Sequence, residues 1–268
     1  MTKVLYNITM NTLERFYEKF DEDKRLKRRH GEVEFFVTNF YIHQILKDMK
    51  NPKIADIGAG TGAYAVPLAK DGYDITAVEF TKQNLQKLRA KHSNVKTFLG
   101  DATNLSMLQL NSFDLTLLFG PMYHLLSKQE KMQALLEAKR ITKPNGIIMV
   151  AYYMNDYAVL CHGFLDGNIK QNIEEKRLDK NFKIISKKDD IFSFDRLSDI
   201  NGYKQKAKLK RLFMFAPDGA SDYIRTELNN MDPETFDIYK KYQLAVSKNK
   251  ELFGASSHLV DVLKKENL

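Results

Sequence analysis

The chain has 268 residues, a length that suits one α/β domain with an insertion better than two full domains. Hydrophobic residues make up 43% of the chain and charged residues 28%, as in an ordinary globular protein. The longest apolar run, at residues 147–154, is less than half of a membrane span, so no membrane partner is expected. The single cysteine excludes an internal disulfide and a cysteine-based metal cluster. We expect no metal site, no signal peptide at residues 1–10 and a cytoplasmic location.

The net charge is +8, from 42 lysines and arginines against 34 acidic residues, which raises the question of nucleic-acid binding. The positive charge is not gathered into one arm, because the charged run at residues 21–30 contains acids as well as bases. Lysines also occupy every second position from 204 to 210, which predicts the solvent face of an edge strand. We therefore expect a solvated basic surface and no nucleic-acid partner.

The first fifty residues predict two amphipathic helices. Apolar side chains follow helical spacing from residue 13 to 20 and again from 33 to 40, and the charged run at 21–30 joins the two segments. We expect residues 1–50 to form a helical cap and residues 51–268 to form the main domain.

From residue 53 the sequence alternates between short apolar strands and single helices. Strands are predicted at residues 53–57, 74–78, 95–99, 113–119 and 147–153. Thr81 caps one intervening helix, and Ser127 with Glu130 forms a capping box that opens another. Single helices between strands imply parallel pairing through right-handed crossovers, and hence a doubly wound α/β sheet.

The regular alternation ends after residue 153. Residues 155–195 predict a helix followed by an irregular or hairpin segment, and we expect this insertion to form a lid over the site. A helix is predicted from Ser198, a strand at 206–215 and two helices at 221–247. The final segment, residues 257–264, fits a strand or a helix, and periodicity does not distinguish them.

A glycine-rich loop follows the first predicted strand. Gly58, Gly60 and Gly62 let the backbone turn sharply and approach a ligand beneath the N-terminus of the next helix. With Ala63 they also fit the dinucleotide pattern G-x-G-x-x-G/A, so the loop alone does not identify the nucleotide. Asp56 departs from the usual dinucleotide fingerprint, and its carboxylate either contacts a ligand or orients the loop amides.

Acidic residues end the next two strands. Glu79 lies where a carboxylate can hold both ribose hydroxyls of an adenosine, the alternative being a surface acid. Asp101 lies where a carboxylate can accept the exocyclic amine of adenine, while the N–H of Ala102 meets the ring. The alternative for Asp101 is a turn or cap residue. These residues predict a nucleoside site without naming the nucleoside.

The order of these motifs resembles the class I S-adenosylmethionine-dependent methyltransferases. The resemblance covers residues 53–153 and rests on KIADIGAGTG at 53–62, VEF at 78–80, GDA at 100–102, FDLTLLFGPMYHL at 113–125 and ITKPNGIIMVAYY at 141–153. It implies a seven-stranded, mostly parallel sheet of order 3-2-1-4-5-7-6 and S-adenosylmethionine as the cofactor. Pro67, within the first crossover helix, departs from the pattern and is expected to remove an internal hydrogen bond.

The resemblance also implies roles for individual residues. The glycines at 58, 60 and 62 would pass under the methionine part, Glu79 would bind ribose, Asp101 and Ala102 would bind adenine, and Phe119 and Gly120 would line the methyl-donor side.

Tyr123 and His124 follow the fourth strand, at the sheet edge where open α/β folds bind ligands. His124 is a candidate general base, with packing against the next helix as the alternative, and Tyr123 is a candidate wall of the acceptor pocket. Tyr17 and Arg29 belong to the N-terminal region that closes over the cofactor in such enzymes. Arg29 can pair with the methionine carboxylate, although a charged run favours a solvated side chain.

The predicted function is methyl transfer to a small molecule by in-line displacement. The alternatives are an RNA or DNA methyltransferase, an NAD-dependent oxidoreductase and a non-catalytic module that binds S-adenosylmethionine. Residues 119–122 lack the polar first residue and second proline of amino-methylating DNA enzymes. Cys161 lies too far downstream to be the nucleophile of a cytosine carbon-5 enzyme. Neither the acceptor nor the oligomeric state follows from the sequence.

Overall fold

The computed structural model describes residues 12–17, 28–91 and 93–267, and its centre is a seven-stranded sheet of order β3-β2-β1-β4-β5-β7-β6. The strands are β1 (Lys53–Ile57), β2 (Asp74–Glu79), β3 (Lys96–Leu99), β4 (Phe113–Leu118), β5 (Thr142–Tyr153), β6 (Lys210–Phe215) and β7 (His258–Lys264). Strands β1 to β5 pair in parallel, whereas β7 runs antiparallel between β5 and β6. The predicted doubly wound fold and its strand order are confirmed.

Helices cover both faces of the sheet, and residues 12–17 are also helical. From residue 28 onward the helices of the described chain are α1 (Arg29–Leu46), α2 (Ala65–Lys70), α3 (Lys82–Ala90), α4 (Pro121–His124), α5 (Lys128–Ile141), α6 (Asn155–Ala158), α7 (Ile169–Glu174), α8 (Leu197–Lys206), α9 (Arg225–Asn230) and α10 (Pro233–Val246), with a π-helical turn at Val159–Leu165 and a 3₁₀ helix at Lys250–Ala255. The charged run expected to join the two N-terminal helices lies mostly outside the described residues. Within the described chain, every helix is too short or too polar to cross a membrane.

Successive residues of the central strands belong to two separate apolar layers. Leu117 and Met149 pack in the layer that contains α1 and α2, whereas Leu118 and Val150 pack in the layer that contains α5 and α8. Both faces of the parallel sheet are therefore covered, which explains why the central strands read as almost continuous apolar runs.

Local sequence signals begin the helices near the sheet. The hydroxyl of Ser127 accepts a hydrogen bond from the Glu130 N–H (3.1 Å), and the Glu130 carboxylate accepts one from the Ser127 N–H (2.9 Å). This is the predicted capping box of α5. Pro67 is the third residue of α2, and its neighbours Val66 and Leu68 donate to the Gly62 carbonyl (3.0 Å) and the Tyr64 carbonyl (3.2 Å). Because proline has no N–H, the bond between these two is missing, as expected from the sequence, and the helix continues past it.

The strand predicted at residues 206–215 is wrong over its first four residues. Lys204 and Lys206 lie in the last turn of α8, where cations interact favourably with the helix dipole. Lys208 lies in the following turn with a φ of 51°, and β6 begins only at Lys210. The alternation of lysines therefore does not mark one face of a strand. For the final segment, the strand alternative is correct.

The insertion after β5 contains α6, the π-helical turn and α7, and it returns to the end of the sheet at Asp195. The N–H of Asp195 donates to the Tyr153 carbonyl (2.8 Å), and the Asp195 carbonyl accepts from the Asn155 N–H (2.9 Å). Shortly before this, the N–H of Ser193 donates to the Tyr123 carbonyl (2.8 Å). The insertion therefore ends against the residues that follow β4 and β5.

A buried ion pair fixes the end of the insertion to α5. Lys131 and Asp195 are both buried, and the ammonium of Lys131 contacts the Asp195 carboxylate. The hydroxyl of Tyr203 in α8 donates to the other oxygen of that carboxylate (3.0 Å). Burial lowers the pKa of Lys131, and the charge of Asp195 opposes that shift. Three elements therefore meet at one buried carboxylate.

We expect Lys131→Met to lower the free energy of unfolding by roughly 3–5 kcal/mol, because it leaves the Asp195 carboxylate buried without its cation. The double variant Lys131→Met/Asp195→Asn should recover part of this loss, since it removes the charge and keeps an acceptor for Tyr203. Urea unfolding followed by circular dichroism measures both effects.

The matched control is Lys128→Met, because Lys128 pairs with Asp199 at 2.7 Å while its side chain is 70% exposed. The Lys128 ammonium is mostly in water and the buried Asp199 carboxylate keeps its second cation, Lys183, so a loss of only about 0–1 kcal/mol is expected. Equal losses in the two single variants would contradict the importance of burial.

Candidate cofactor and acceptor site

A cavity of about 560 Å³ lies beside the carboxyl ends of β1, β2, β4 and β5, where open α/β sheets bind ligands. Its size falls in the range of small-molecule sites, roughly 300–1,000 Å³. The predicted site residues that line it are Tyr17, Asp56, Gly58, Gly60, Glu79, Asp101, Ala102, Phe119, Gly120, Tyr123 and His124. Eleven of the thirteen predicted residues are thus brought together, and Gly62 and Arg29 do not line the cavity.

The loops after β1 and β4 abut, and this contact requires glycine on both sides. A Cβ atom on Gly58 would lie 2.4 Å from Cδ of Pro121, and one on Gly120 would lie 2.9 Å from the Gly58 carbonyl oxygen. Gly60 has a φ of 55° and open space beside it. At Gly62 a Cβ would lie 2.2 Å from the Leu88 side chain, so α3 packing explains that glycine.

The Glu79 carboxylate is fixed by the backbone around it. It accepts hydrogen bonds from the N–H of Gly60 (2.8 Å) and from the N–H (2.9 Å) and hydroxyl (2.8 Å) of Thr81. Burial raises the pKa of Glu79, and these hydrogen bonds oppose the shift. Because the residue is only 4% exposed, its interpretation as a surface acid is wrong.

Asp56 is a second buried carboxylate in the same wall, 2% exposed. Among the described residues its Oδ2 atom has no hydrogen-bond partner. Burial raises the pKa of Asp56 to about 7, the negative charge of Glu79 adds to the shift, and a hydrogen bond from the Ala65 N–H opposes it. A buried polar atom of this kind calls for a ligand donor or an ordered water.

Asp101 and Ala102 form the next part of the wall. One Asp101 carboxylate oxygen accepts the Thr103 N–H (2.8 Å), and the Asp101 carbonyl accepts the Asn104 N–H (2.9 Å). The turn role considered for Asp101 is therefore present, and the residue also lines the cavity beside the buried Ala102.

Aromatic side chains cover the side of the cavity beyond the glycine loop. Phe119 is buried and meets Tyr64 edge-to-face, with ring centroids 5.2 Å apart. Tyr64 in turn stacks on Phe35 of α1 at 5.5 Å. Tyr123 packs against Tyr153 at 5.1 Å. Phe119 and Tyr123 were predicted from the sequence, whereas Tyr64 was missed because it precedes α2 without a distinguishing motif.

Both ring nitrogens of His124 are engaged. Nδ1 lies 2.9 Å from the Ile191 carbonyl, and Nε2 lies 2.8 Å from the Tyr17 hydroxyl. Because a carbonyl only accepts, Nδ1 is the donor, and Nε2 of the neutral ring accepts the Tyr17 O–H. Burial lowers the pKa of His124 to about 4, while the bond to Ile191 opposes the shift. A ring with such a low pKa is a weak base at neutral pH.

Three further groups of the cavity region were missed from the sequence: Glu34, Asp218 and His258. Nδ1 of His258 lies 2.6 Å from the Asp218 carboxylate. One carboxylate oxygen of Glu34 lies within 4.8 Å of a ring nitrogen of His258 and of a carboxylate oxygen of Asp218. Glu34 and His258 line the cavity. These residues belong to α1, the segment after β6 and the start of β7, so no local spacing pattern connects them.

Arg29 has a different role from the one expected. Its guanidinium donates to the carbonyls of Leu228 (2.7 Å) and Met231, and it lies over the ring of Phe236 at 4.7 Å. Arg29 therefore joins α1 to α9 and α10. The predicted pairing of Arg29 with a cofactor carboxylate is replaced by these contacts.

Comparisons with known proteins agree with the geometry of this site. The family described as a methyltransferase domain matches residues 55–150. A demethylmenaquinone methyltransferase of Paenarthrobacter aurescens is 36% identical over 102 residues, which are 38% of either chain. A ubiquinone biosynthesis O-methyltransferase of Rickettsia typhi is 25% identical over 124 residues, 46% of this chain and 48% of the relative. The chain thus spans less than half the length of these relatives.

Solved structures share the fold over most of the chain. A SAM-dependent methyltransferase of Methanosarcina mazei has a TM-score of 0.58 at 13% identity and covers 85% of this chain and 98% of its own. Another from Thermotoga maritima, described as a possible histamine N-methyltransferase, has a TM-score of 0.56 at 20% identity and covers 96% and 100%. The sequence match falls on the strands that build the cavity, so residues 55–150 match a methyltransferase domain, and the chain as a whole has the fold of these S-adenosylmethionine-dependent methyltransferases.

Proposed function

We propose that this protein transfers the methyl group of S-adenosylmethionine to a small-molecule acceptor. The observation that carries the proposal is the pair of buried carboxylates, Asp56 and Glu79, at the cavity wall, of which Glu79 accepts a hydrogen bond from the Gly60 N–H. The names of the curated relatives, which refer to demethylmenaquinone and to ubiquinone biosynthesis, support a small acceptor.

The charge of this wall favours S-adenosylmethionine over NAD. In a dinucleotide the part above the glycine loop is a pyrophosphate, which a buried carboxylate such as Asp56 would repel. The amino group and sulfonium of S-adenosylmethionine are positive, and an N–H donor would complete the bonding of the Asp56 Oδ2 atom. In this arrangement Glu79 holds the ribose hydroxyls, Asp101 and Ala102 hold adenine, and Gly58 and Gly60 allow close approach.

When bound, the cofactor supplies a methyl group on a positively charged sulfur, so the chain contributes positioning and exclusion of water. Tyr17 and Leu13 from residues 12–17, and Glu34 from α1, line the cavity above the sheet. These contacts support a cap at residues 1–50 over a main domain at residues 51–268. Residues 155–195 do not line the cavity, but the Ile191 carbonyl of this insertion holds the cavity residue His124, which supports a role of the insertion beside the acceptor side.

Within this function we infer that His124 positions Tyr17 and is not the general base. Its Nε2 atom already accepts the Tyr17 hydroxyl, and its pKa of about 4 leaves it neutral and weakly basic. Tyr17 is thereby fixed at the cavity wall. Tyr123 remains a wall residue of the acceptor side, as predicted from sequence.

S-adenosylhomocysteine should bind the full chain with micromolar affinity and raise its melting temperature, since a ligand at 100 times its Kd stabilises by about 2.7 kcal/mol. Glu79→Gln should weaken this binding at least tenfold, because a charge-assisted hydrogen bond contributes roughly 1.5–3 kcal/mol. Isothermal titration calorimetry measures the Kd of the wild type and of the variant. Glu137→Gln is the control, since Glu137 pairs with Arg140 outside the cavity. Binding of NAD without binding of S-adenosylhomocysteine would refute the proposal.

Asp56→Asn should stabilise the ligand-free protein more at pH 8 than at pH 5. The folded pKa of about 7 exceeds the ordinary 3.8, so the wild type is most stable when Asp56 is protonated and loses stability as the pH rises from about 4 to 7. The full penalty is on the order of 4 kcal/mol, because a pKa difference of one corresponds to about 1.4 kcal/mol. Thermal unfolding across this range tests the sign. The same variant should bind S-adenosylhomocysteine more weakly, and unchanged affinity would argue against contact with the amino group.

The Tyr17–His124 contact should show energetic coupling in a double-mutant cycle. Tyr17→Phe and His124→Phe should each destabilise, and together by about 1 kcal/mol less than their sum. Because the folded pKa of His124 lies below its ordinary 6.5, its stabilisation is present above pH 6.5 and is lost as the pH falls towards 4. His124→Phe should flatten that part of the stability curve. If the losses in the free energy of unfolding are additive and its dependence on pH is unchanged, Tyr17 and His124 are not energetically coupled.

A further inference from the structure

Phe192, near the end of the insertion, contacts three segments that lie far apart in the sequence. Its ring centroid lies 5.4 Å from that of Phe16 in the N-terminal segment and 5.2 Å from that of His124 after β4. The ring of Tyr153, at the end of β5, lies at 5.6 Å and that of Tyr123 at 6.3 Å. Tyr123 and His124 line the cavity, whereas Phe192 does not. Its ring therefore supports the cavity wall without forming part of the cavity surface.

Hydrogen bonds on either side of Phe192 fix its backbone to the turn after β4. The Ile191 carbonyl accepts a hydrogen bond from Nδ1 of His124 (2.9 Å). The N–H of Ser193 donates to the Tyr123 carbonyl (2.8 Å). Both bonds join the insertion to the main domain and involve no atom of the N-terminal segment. Phe192 is therefore held in place by the main domain, and the N-terminal segment packs against it.

Residues 12–17 cover the cavity and meet Phe192 at one end. Phe16 packs edge-to-face on Phe192 with an interplanar angle of 87°, and the Tyr17 hydroxyl donates to Nε2 of His124 (2.8 Å). Tyr17 and Leu13 line the cavity, but Phe16 does not. The packing of Phe16 on Phe192 thus holds the cover closed from a position outside the cavity.

We propose that Phe192 is the positioning residue on which residues 12–17 dock, and that this contact sets the rate at which the demethylated cofactor leaves the cavity. This inference rests on the proposed methyl transfer. Where a chain segment covers a ligand, opening of that segment limits release. One edge-to-face aromatic pair contributes enough free energy to change such an opening equilibrium roughly 3- to 10-fold.

The position of the contact predicts a particular pattern of rate constants. Because neither Phe16 nor Phe192 reaches the cavity surface, the loss of their contact destabilises the covered form equally with and without ligand. A contact that does not distinguish the free from the bound protein does not change the affinity. Association and dissociation should therefore accelerate together at a nearly constant Kd, whereas the loss of a residue that shapes the site would change Kd.

The first test measures amide hydrogen exchange in peptides containing residues 12–17, in the full chain without ligand. Phe192→Ala should accelerate exchange there roughly 3- to 10-fold, and Phe192→Tyr, which keeps the ring, should not. The matched control is Phe194→Ala. Phe194 is also half-buried in the insertion, and within the described chain its ring packs on Tyr153 (5.7 Å) but on no ring of residues 12–17.

Peptides of β1 provide the internal reference, because their exchange requires opening of the central sheet. Exchange at β1 should be the same in Phe192→Ala and in the wild type. Equal acceleration at β1 and at residues 12–17 would assign Phe192 a general structural role and overturn the proposal. Acceleration at residues 12–17 by both alanine variants, or by neither, would also overturn it.

The second test measures association and dissociation of labelled S-adenosylhomocysteine. Phe192→Ala and Phe16→Ala should each increase both rate constants roughly 3- to 10-fold, while Kd changes by less than about twofold. The double variant should match either single variant, since the contact is already lost in each. An unchanged dissociation rate, a Kd that changes as much as the rates, or additive effects in the double variant would overturn the proposal.

The two tests separate this inference from the proposed function. If the wild type does not bind S-adenosylhomocysteine, methyl transfer is the failed proposal, and hydrogen exchange still decides whether residues 12–17 dock on Phe192. Normal binding with the same rate constants in Phe192→Ala and the wild type refutes only the role of Phe192.

Discussion

The carboxyl ends of β1 and β4 approach so closely that their loops touch backbone to backbone, and the candidate site depends on this contact. Gly58 and Pro121 meet on one side and Gly120 and the Gly58 carbonyl on the other, at distances that exclude a Cβ atom. The loop after β1 is therefore held in one shape, with its Gly60 amide bonded to Glu79. A cavity of fixed form beside two central strands is what a ligand with several separate polar groups requires.

The negative charges of the two carboxylates beside that loop destabilise the ligand-free protein but favour the binding of a cationic ligand. Glu79 accepts hydrogen bonds from Gly60 and Thr81, whereas Asp56 keeps an oxygen without a partner in the described chain, and the charge of Glu79 raises the pKa of Asp56 further. A bound cation would relieve this repulsion, so under the proposed function the stability of the ligand-free protein and the affinity for the cofactor are opposed at Asp56. This opposition is common at functional sites, where local strain or charge persists because the surrounding structure holds it.

The two histidines that line the cavity, His124 and His258, have different surroundings. His124 follows β4, as the sequence indicates, but its neighbours are a carbonyl and a tyrosine hydroxyl, which keep the ring neutral. His258 begins β7, in a segment without a motif, and a carboxylate bonds its ring. The histidine that the sequence singles out as a candidate base is thus bonded through both ring nitrogens, whereas the histidine with a carboxylate partner carries no sequence signal.

Local sequence was sufficient for β1 to β4, for residues 147–153 of β5 and for the capping box of α5. It also identified the eleven predicted residues that line the cavity, because strand-end motifs are short and the carboxyl ends of parallel strands share one edge. Tertiary structure alone decided the rest. Arg29 contacts Leu228 and Met231 across about two hundred residues, and Glu34 meets Asp218 and His258 only after α1 and the C-terminal strands pack on the sheet. Lys204 to Lys210 satisfied a two-residue period, yet the chain continues α8 there because packing overrides a short pattern. Contacts between distant segments leave no spacing in the sequence, so this part of the cavity became visible only in the fold.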